Sequence, residues 1–283
     1  MENEFKSFLK TVEGGEGDRC LYPTRLDLYG KGCEHNCSYC YAKSLLDFRK
    51  LWDEDNPAVA DIEKVYKAID KLAKGGFKGA VRLGGMTDCF QKKKEYKYRN
   101  TLHAIERLNQ HRIHYLIVTK SDLVASQSYM AIMDKELAHI QISVTSTDDA
   151  TSWKMEKADF VSDRINAVEI LQRNGFDVTL RLSPFIPEYF DYDVLNKIKC
   201  DKVLIEFLRV NTWIKRWFDI DYSPYTLKSG GYQHLPLDVK IEALKRIKFA
   251  QMSICEDVPE HYEYFKANFN HNQVDCCNLN IPR

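Results

Sequence analysis

The chain has 283 residues, 44% hydrophobic and 29% charged, with 41 basic against 41 acidic side chains. That is the size of one large α/β barrel or two small domains and the composition of an ordinary soluble globular protein; balanced charge argues against a strong non-specific nucleic-acid binder but leaves room for a local basic patch. No run of about eighteen apolar residues marks a membrane span, Met1–Gly15 lacks the apolar centre of a signal peptide, and nine unevenly spaced cysteines fit metal or redox chemistry in the cytoplasm better than a disulfide framework.

In chain order, residues 1–24 read as an irregular lead-in. Arg25–Tyr29 alternates and is predicted as a first strand. A glycine-flanked loop with three cysteines follows, then a helix over Tyr41–Lys50. Asn56-Pro57 reads as the start of a second helix, continued by Ile62, Val65, Ile69 and Leu72 and stopped at Gly75-Gly76. From there strands and helices alternate. Strands are expected at Gly79–Gly85, His114–Lys120, His139–Thr145, Asp177–Leu182 and Lys202–Val210. Helices are expected at Tyr98–Gln110, Gln127–Glu136, Asp159–Asn174 and Asp191–Ile198. Six strands separated by helices predict parallel βα units in an open (β/α)6 partial TIM barrel over 25–210, with chemistry at the C-terminal strand ends. Residues 211–236 are crowded with aromatics and read as an insertion over the barrel mouth. Pro236–Met252 is predicted as a final helix, and a cysteine-containing tail completes a C-terminal extension over 211–283.

The cysteine loop is Cys33-Glu34-His35-Asn36-Cys37-Ser38-Tyr39-Cys40, a C-x3-C-x2-C spacing. Thiolates are soft ligands that suit iron–sulfur clusters or zinc. Three on one loop hold three irons of a 4Fe–4S cube and leave the fourth open. Cysteines that merely pack are the plainer reading, but three of them at this spacing on a polar loop would be improbable. Zinc is the better rival, yet knuckles pair C-x2-C with a second such pair, and the remaining cysteines are distant in sequence. His35 reads as a filler of the loop.

This loop, with Tyr39 before Cys40, resembles the cluster loop of the radical S-adenosylmethionine (SAM) superfamily. Further segments resemble one branch of it, spore photoproduct lyase and the relatives called DNA repair photolyases. They are GGMTDCFQ, LIVTKSDL, ISVTSTDD, RINAVEILQRNGF and LSPFIP, spanning Leu26 to Pro187. The resemblance implies the open barrel, a 4Fe–4S cluster on Cys33, Cys37 and Cys40, and SAM on its open iron. It implies cleavage of SAM to a 5′-deoxyadenosyl radical and an electron donor such as flavodoxin or ferredoxin. Tyr39, Gly85, Thr87, Asp88, Lys120, Ser143 and Thr145 become candidate SAM contacts, and Tyr39 and Tyr41 candidates for radical return.

One departure stands out. Where the lyase carries its hydrogen-donating cysteine this chain has Gly85, and Cys89 is the nearest thiol, read either as a shifted donor or as structural. Nucleic acid is one expected substrate class, gripped by the basic run Gln91–Arg99, whose plainer reading is a solvated loop and helix start. Modification of a small molecule, peptide or protein is the second reading, and a non-catalytic iron–sulfur protein the third. Cys255, Cys276 and Cys277, with Cys200 or Cys20, are read as a second cluster site, as inert core thiols or as redox partners.

Overall fold

A computed structural model describes residues 4–13, 19–279 and 281. Its main sheet contains seven parallel strands: β1 (Thr24–Leu26), β2 (Ala80–Leu83), β3 (His114–Thr119), β4 (Ala138–Val144), β5 (Asp177–Phe185), β6 (Lys202–Phe207) and β7 (Gln251–Ile254). They lie in sequence order, with Leu9–Thr11 added antiparallel outside β1. The two edges do not pair, so the sheet is an open partial barrel, as its βα rhythm predicts.

Alternation along these strands sorts the chain into two environments. Val81 and Leu83, Ile140 and Ile142, Leu180 and Leu182, Val203 and Ile205 face the helices and are fully buried in the apolar core. Ile69, Ile105, Leu108, Val168 and Leu171 meet them from the helix side, each stabilising the fold by about 1.5–3 kcal/mol on transfer from water. The intervening positions Arg82, Gln141, Ser143, Arg181 and Glu206 face the barrel interior instead. A core built on one face of the sheet thus leaves the other face free for polar chemistry.

Several elements differ from expectation. The first strand stops at Leu26, and Tyr29–Gly30 joins a separate small sheet with Glu4–Phe5 and Ala58–Ala60. The lead-in therefore contributes strands rather than irregular chain; its residues 1–3 and 14–18 lie outside the described residues. Asn56-Pro57 leads into the strand Ala58–Ala60, and the helix begins at Ile62. There the Asp61 carboxylate caps it, accepting from Glu63 and Lys64 N–H at 3.0 and 3.3 Å. The basic run forms its own helix, Lys92–Tyr98, broken from Asn100–Gln110 by Arg99 at φ 54°.

The aromatic stretch forms the helix Thr212–Trp217 and a hairpin, Leu227–Ser229 with Tyr232–His234, turned by Gly230 and Gly231 at φ 57° and 81°. The predicted final helix ends at Leu244, and Met252 belongs instead to β7, paired parallel with β6 from Lys202↔Gln251 to Ile205↔Ile254. A further helix, Pro259–Asn268, precedes the tail.

Candidate active site

The cysteine loop is a set of tight turns. Asn36 takes φ 38° and donates its N–H to the Cys33 carbonyl at 3.1 Å, and Cys40 N–H reaches the Cys37 carbonyl at 3.2 Å. Cys40 caps the helix Tyr41–Leu46, its Sγ accepting from Lys43 N–H at 3.3 Å. Cys33, Cys37 and Cys40 all line one cavity of about 220 Å³ inside the barrel. Burial, with the Asp88 carboxylate adding to it, pushes the Cys33 thiol up to about 12. Burial also raises Cys37 and Cys40, while the Lys120 ammonium pulls both down. Among the described residues no three Cys, His, Asp or Glu side chains are drawn together closely enough to hold a metal ion as they stand. Three thiolates on one loop, with no second cysteine pair of a zinc knuckle beside them, fit a four-iron cube with one open corner by number and softness.

Two buried carboxylates hold the loop in place. Asp88 accepts from Lys120 N–H at 2.7 Å, Phe90 N–H at 2.8 Å and the Thr119 hydroxyl at 2.8 Å. His35 Nε2 lies 3.1 Å from its other side, an ion-pair distance without hydrogen-bond alignment. Burial alone would raise Asp88, but His35 and the two N–H donors hold it below the usual carboxylate range. His35 is therefore a strut between the loop and β3, not filler.

Glu156 is the second anchor. It accepts from the hydroxyls of Tyr39, Thr145 (2.7 Å) and Ser152 (3.1 Å), and pairs with the fully buried Arg164 at 2.6 Å. Cys37 Sγ lies 3.7 Å from it. Backbone bonds from Ser38 N–H to Met155 O (2.8 Å) and Lys157 N–H to His35 O (2.6 Å) complete the seat.

The strand ends approach the loop from the other side. After β2, Gly84 takes φ 85°, a conformation that favours glycine, and a Cβ there would stand 2.8 Å from the Val118 carbonyl. A Cβ on Gly85 would stand 2.6 Å from Arg25 Cδ. Asp27, buried just after β1, accepts the N–H groups of Gly85, Met86 and Thr87 at 2.8, 2.8 and 3.2 Å. The Gly85 carbonyl in turn accepts from the Tyr41 hydroxyl at 2.7 Å, and the Tyr41 ring lies 4.7 Å from the Arg209 guanidinium. Gly85, Thr87, Asp88, Lys120 and Ser143 line the cavity together with Tyr39 and Tyr41. The Lys120 ammonium sits 5.6 Å from the Tyr39 ring.

Three expectations need correction. Cys89 is buried in the apolar core, its carbonyl held by Thr101, and does not line the cavity. Thr145 is fully buried, and its hydroxyl is spent on Glu156. Glu206 and Arg209, three residues apart, would take opposite faces of a regular strand, yet both line the cavity, because the register shifts between Ile205 and Phe207 and β6 ends there. Arg181 and Arg209 hold Glu206 down at about 2 although burial alone would raise it. Ser183 and Pro184, near the end of β5, reach the cavity, whereas Phe185 and Ile186 pack into the core. In the basic run, Lys92 pairs with Asp122 at 2.6 Å and Asp159 at 2.8 Å, and the helix lines none of the cavity.

A family model described as the Radical SAM superfamily matches residues 28–198, more than half the chain. This chain belongs to the Radical SAM superfamily. A comparison with curated protein sequences returns no match. Among solved structures, a spore photoproduct lyase variant with bound AdoMet and dinucleoside spore photoproduct superposes with TM-score 0.59 at 13% identity, covering 93% of this chain and 78% of that one. SuiB of Streptococcus suis, bound to the precursor peptide SuiA, gives TM-score 0.54 at 12% identity over 84% of this chain and 50% of SuiB. SuiB bound to S-adenosylmethionine gives 0.51 at 12% identity, over 88% of this chain and 56% of SuiB. At such identities the likeness is one of fold.

Membership makes this radical SAM protein an enzyme that uses a 4Fe–4S cluster and SAM. The three loop thiols fit the cluster by their chemistry, and the Gly84-Gly85 turn, Lys120 and Ser143 leave room and polarity beside them. Asp27, Glu156 and Arg164 were invisible to motif reasoning. The one signal for Asp27 was an acidic residue between two leucines in the first predicted strand.

Proposed function

We propose that this radical SAM enzyme binds its cluster through Cys33, Cys37 and Cys40 and abstracts hydrogen from a nucleic-acid substrate seated in the barrel. The observation that supports the reading is the convergence of those thiols, the Gly85–Thr87 turn, Lys120 and Ser143 on one cavity. When bound, the cofactors supply reductive cleavage of SAM to a 5′-deoxyadenosyl radical, with the electron from a donor such as flavodoxin or ferredoxin. In this reading Lys120 and Ser143 bind the SAM carboxylate, and the turn after β2 receives its ammonium. Asp27 and Asp88 act by holding that turn and the loop. Tyr41 or Tyr39, rather than Cys89, returns the hydrogen atom, because both tyrosines line the cavity and Cys89 does not.

The substrate class rests on fold likeness to spore photoproduct lyase over most of this chain. The reducing conditions an open iron needs fit a cytoplasmic enzyme, and among the described residues no helix is long and apolar enough to cross a membrane. A second reading, a small polar molecule or peptide, draws on the basic helix standing outside the cavity.

Anaerobic reconstitution followed by assay for 5′-deoxyadenosine, with and without dimer-containing DNA, tests both. DNA should stimulate the product, and rising salt should weaken the stimulation. No response to DNA favours the second reading. Replacing Cys33, Cys37 or Cys40 by Ala should abolish the product; its persistence would refute the assignment.

A further inference from the structure

The cysteine loop occupies one part of the cavity wall. Four other thiols line the same cavity: Cys20, Cys255, Cys276 and Cys277. They come from three separate segments, ahead of β1, directly after β7 and in the tail, so only the tertiary fold assembles them. All four are free cysteines. The four cysteines pack into one small cluster inside the barrel, with Tyr22, Ala80, Leu116 and Leu204.

The backbone that carries them is tied down. Cys255 N–H donates to Ile205 O at 2.8 Å, continuing the β6–β7 ladder. Asp275 accepts from Cys277 and Leu279 N–H, both at 2.9 Å, and from the Tyr22 hydroxyl at 2.6 Å. Lys202 Nζ holds the Asn278 carbonyl at 2.9 Å. Such anchoring exceeds what a loose terminal segment needs, and it fixes Cys276 and Cys277 inside the barrel.

The surroundings point to a negatively charged, sulfur-rich occupant. Gln141 is fully buried; its Oε1 accepts from Arg181 at 2.6 Å, while its Nε2 has no partner of ordinary geometry and faces the Cys277 sulfur. Arg82 Nε is also buried and unpartnered on the same wall. Arg82 and Arg181 line the cavity with the four thiols, Arg181 paired there with Glu206. Buried N–H donors without partners are costly unless something accepts from them, and cluster sulfurs do.

From this convergence we infer that Cys20, Cys255, Cys276 and Cys277 hold a second iron–sulfur cluster, across the cavity from the SAM-binding one. Four thiolates close all four corners of a 4Fe–4S cube, so this cluster has no open iron for SAM. Arg82 offsets part of its negative charge, Gln141 Nε2 is a hydrogen-bond donor to its sulfur, and Arg181 is shared with Glu206. Zinc on the same four thiolates would bring no inorganic sulfide, so sulfide analysis separates the two occupants. The site goes beyond the function proposed above and does not depend on SAM cleavage.

The test is anaerobic iron–sulfur reconstitution of the full chain, with iron, sulfide and zinc determination and electron paramagnetic resonance after reduction. Wild type should bind about eight irons and eight sulfides, and the Cys33→Ala/Cys37→Ala/Cys40→Ala variant about four of each, keeping a reduced-cluster signal. The Cys20→Ser/Cys255→Ser/Cys276→Ser/Cys277→Ser variant should lose about half the iron and keep the other signal. If that variant fails to fold, the loop variant alone decides. About four irons in wild type with none in the loop variant overturns the inference, as does zinc without sulfide, or a disulfide among the four cysteines by mass spectrometry. Loss of 5′-deoxyadenosine formation with the tail iron retained would strike the SAM reading alone.

Discussion

At the scale of single residues, the site is governed by buried acids that touch no substrate. Asp27 organises three backbone N–H groups into the turn after β2, and Asp88 ties the cluster loop to β3 through His35. Such residues carry little sequence signature, because an Asp near a strand end also reads as a helix cap or a solvated charge. The cluster cysteines were legible because metal-ligand spacing is restrictive; the role of Cys89 was not, because spacing does not tell which wall of a strand end a thiol meets. Gly85 makes the packing constraint testable. In Gly85→Ala the new methyl group meets Arg25 Cδ at 2.6 Å and Cβ at 2.8 Å. The expected outcome is a loss of about 1–3 kcal/mol in denaturant unfolding and weaker SAM binding by equilibrium dialysis. Unchanged stability and affinity would mean that Arg25 yields without moving the turn.

Among elements, the helix Asp149–Met155 and the residue that follows it matter more than their length suggests. Glu156 gathers Tyr39, Thr145, Ser152 and Arg164 beneath the cysteine loop, so the loop's geometry depends on a helix more than a hundred residues downstream. Glu156→Gln leaves the Arg164 guanidinium buried without its counter-charge. A loss of about 3–5 kcal/mol is expected, read from the urea midpoint at unchanged slope, and Arg164→Met in the same chain should restore much of it. The elements that sequence misplaced share a cause. Asn56-Pro57 carried a helix-start signal, but Ala58–Ala60 found partners in Tyr29–Gly30 and Glu4–Phe5. Gln251–Ile254 followed a helical pattern, but the open flank of β6 recruited it as β7. In both places a distant strand edge outweighed local preference.

For the molecule as a whole, the half-barrel separates a structural end from a chemical one. At the structural end Asp177 joins β5 to its neighbours, bonding His139 and pairing with Lys202 at 2.7 Å. Burial would raise its carboxyl, but His139 and Lys202 outweigh that and hold it below the usual range. A carboxylate lowered in this way adds stability that is full above its unfolded pKa of about 3.9 and is lost as pH falls through the lower folded value. Asp177→Asn should therefore be less stable than wild type at neutral pH, and the gap should close on acidification below about pH 4 in urea melts. A gap that widens in acid would contradict the assignment. At the chemical end, SAM binds the folded protein alone, so ligand at a hundred times its Kd should add about 2.7 kcal/mol to the stability of the reconstituted enzyme.

What the sequence determined by itself was local and periodic: the C-x3-C-x2-C loop, six βα units in order, and polar residues at the strand ends. Each follows from spacing along the chain, through ligand geometry or the alternation of a strand. Only the tertiary structure decided what spacing cannot encode. It turned Cys89 and Thr145 away from the cavity, brought Glu206 and Arg209 into it past a register shift, and supplied β7. It also gathered Cys20, Cys255, Cys276 and Cys277 from opposite ends of the chain onto one wall. Closing the sheet into a half-barrel fixes which side chains face inward together, and that depends on the packing of every strand against its neighbours.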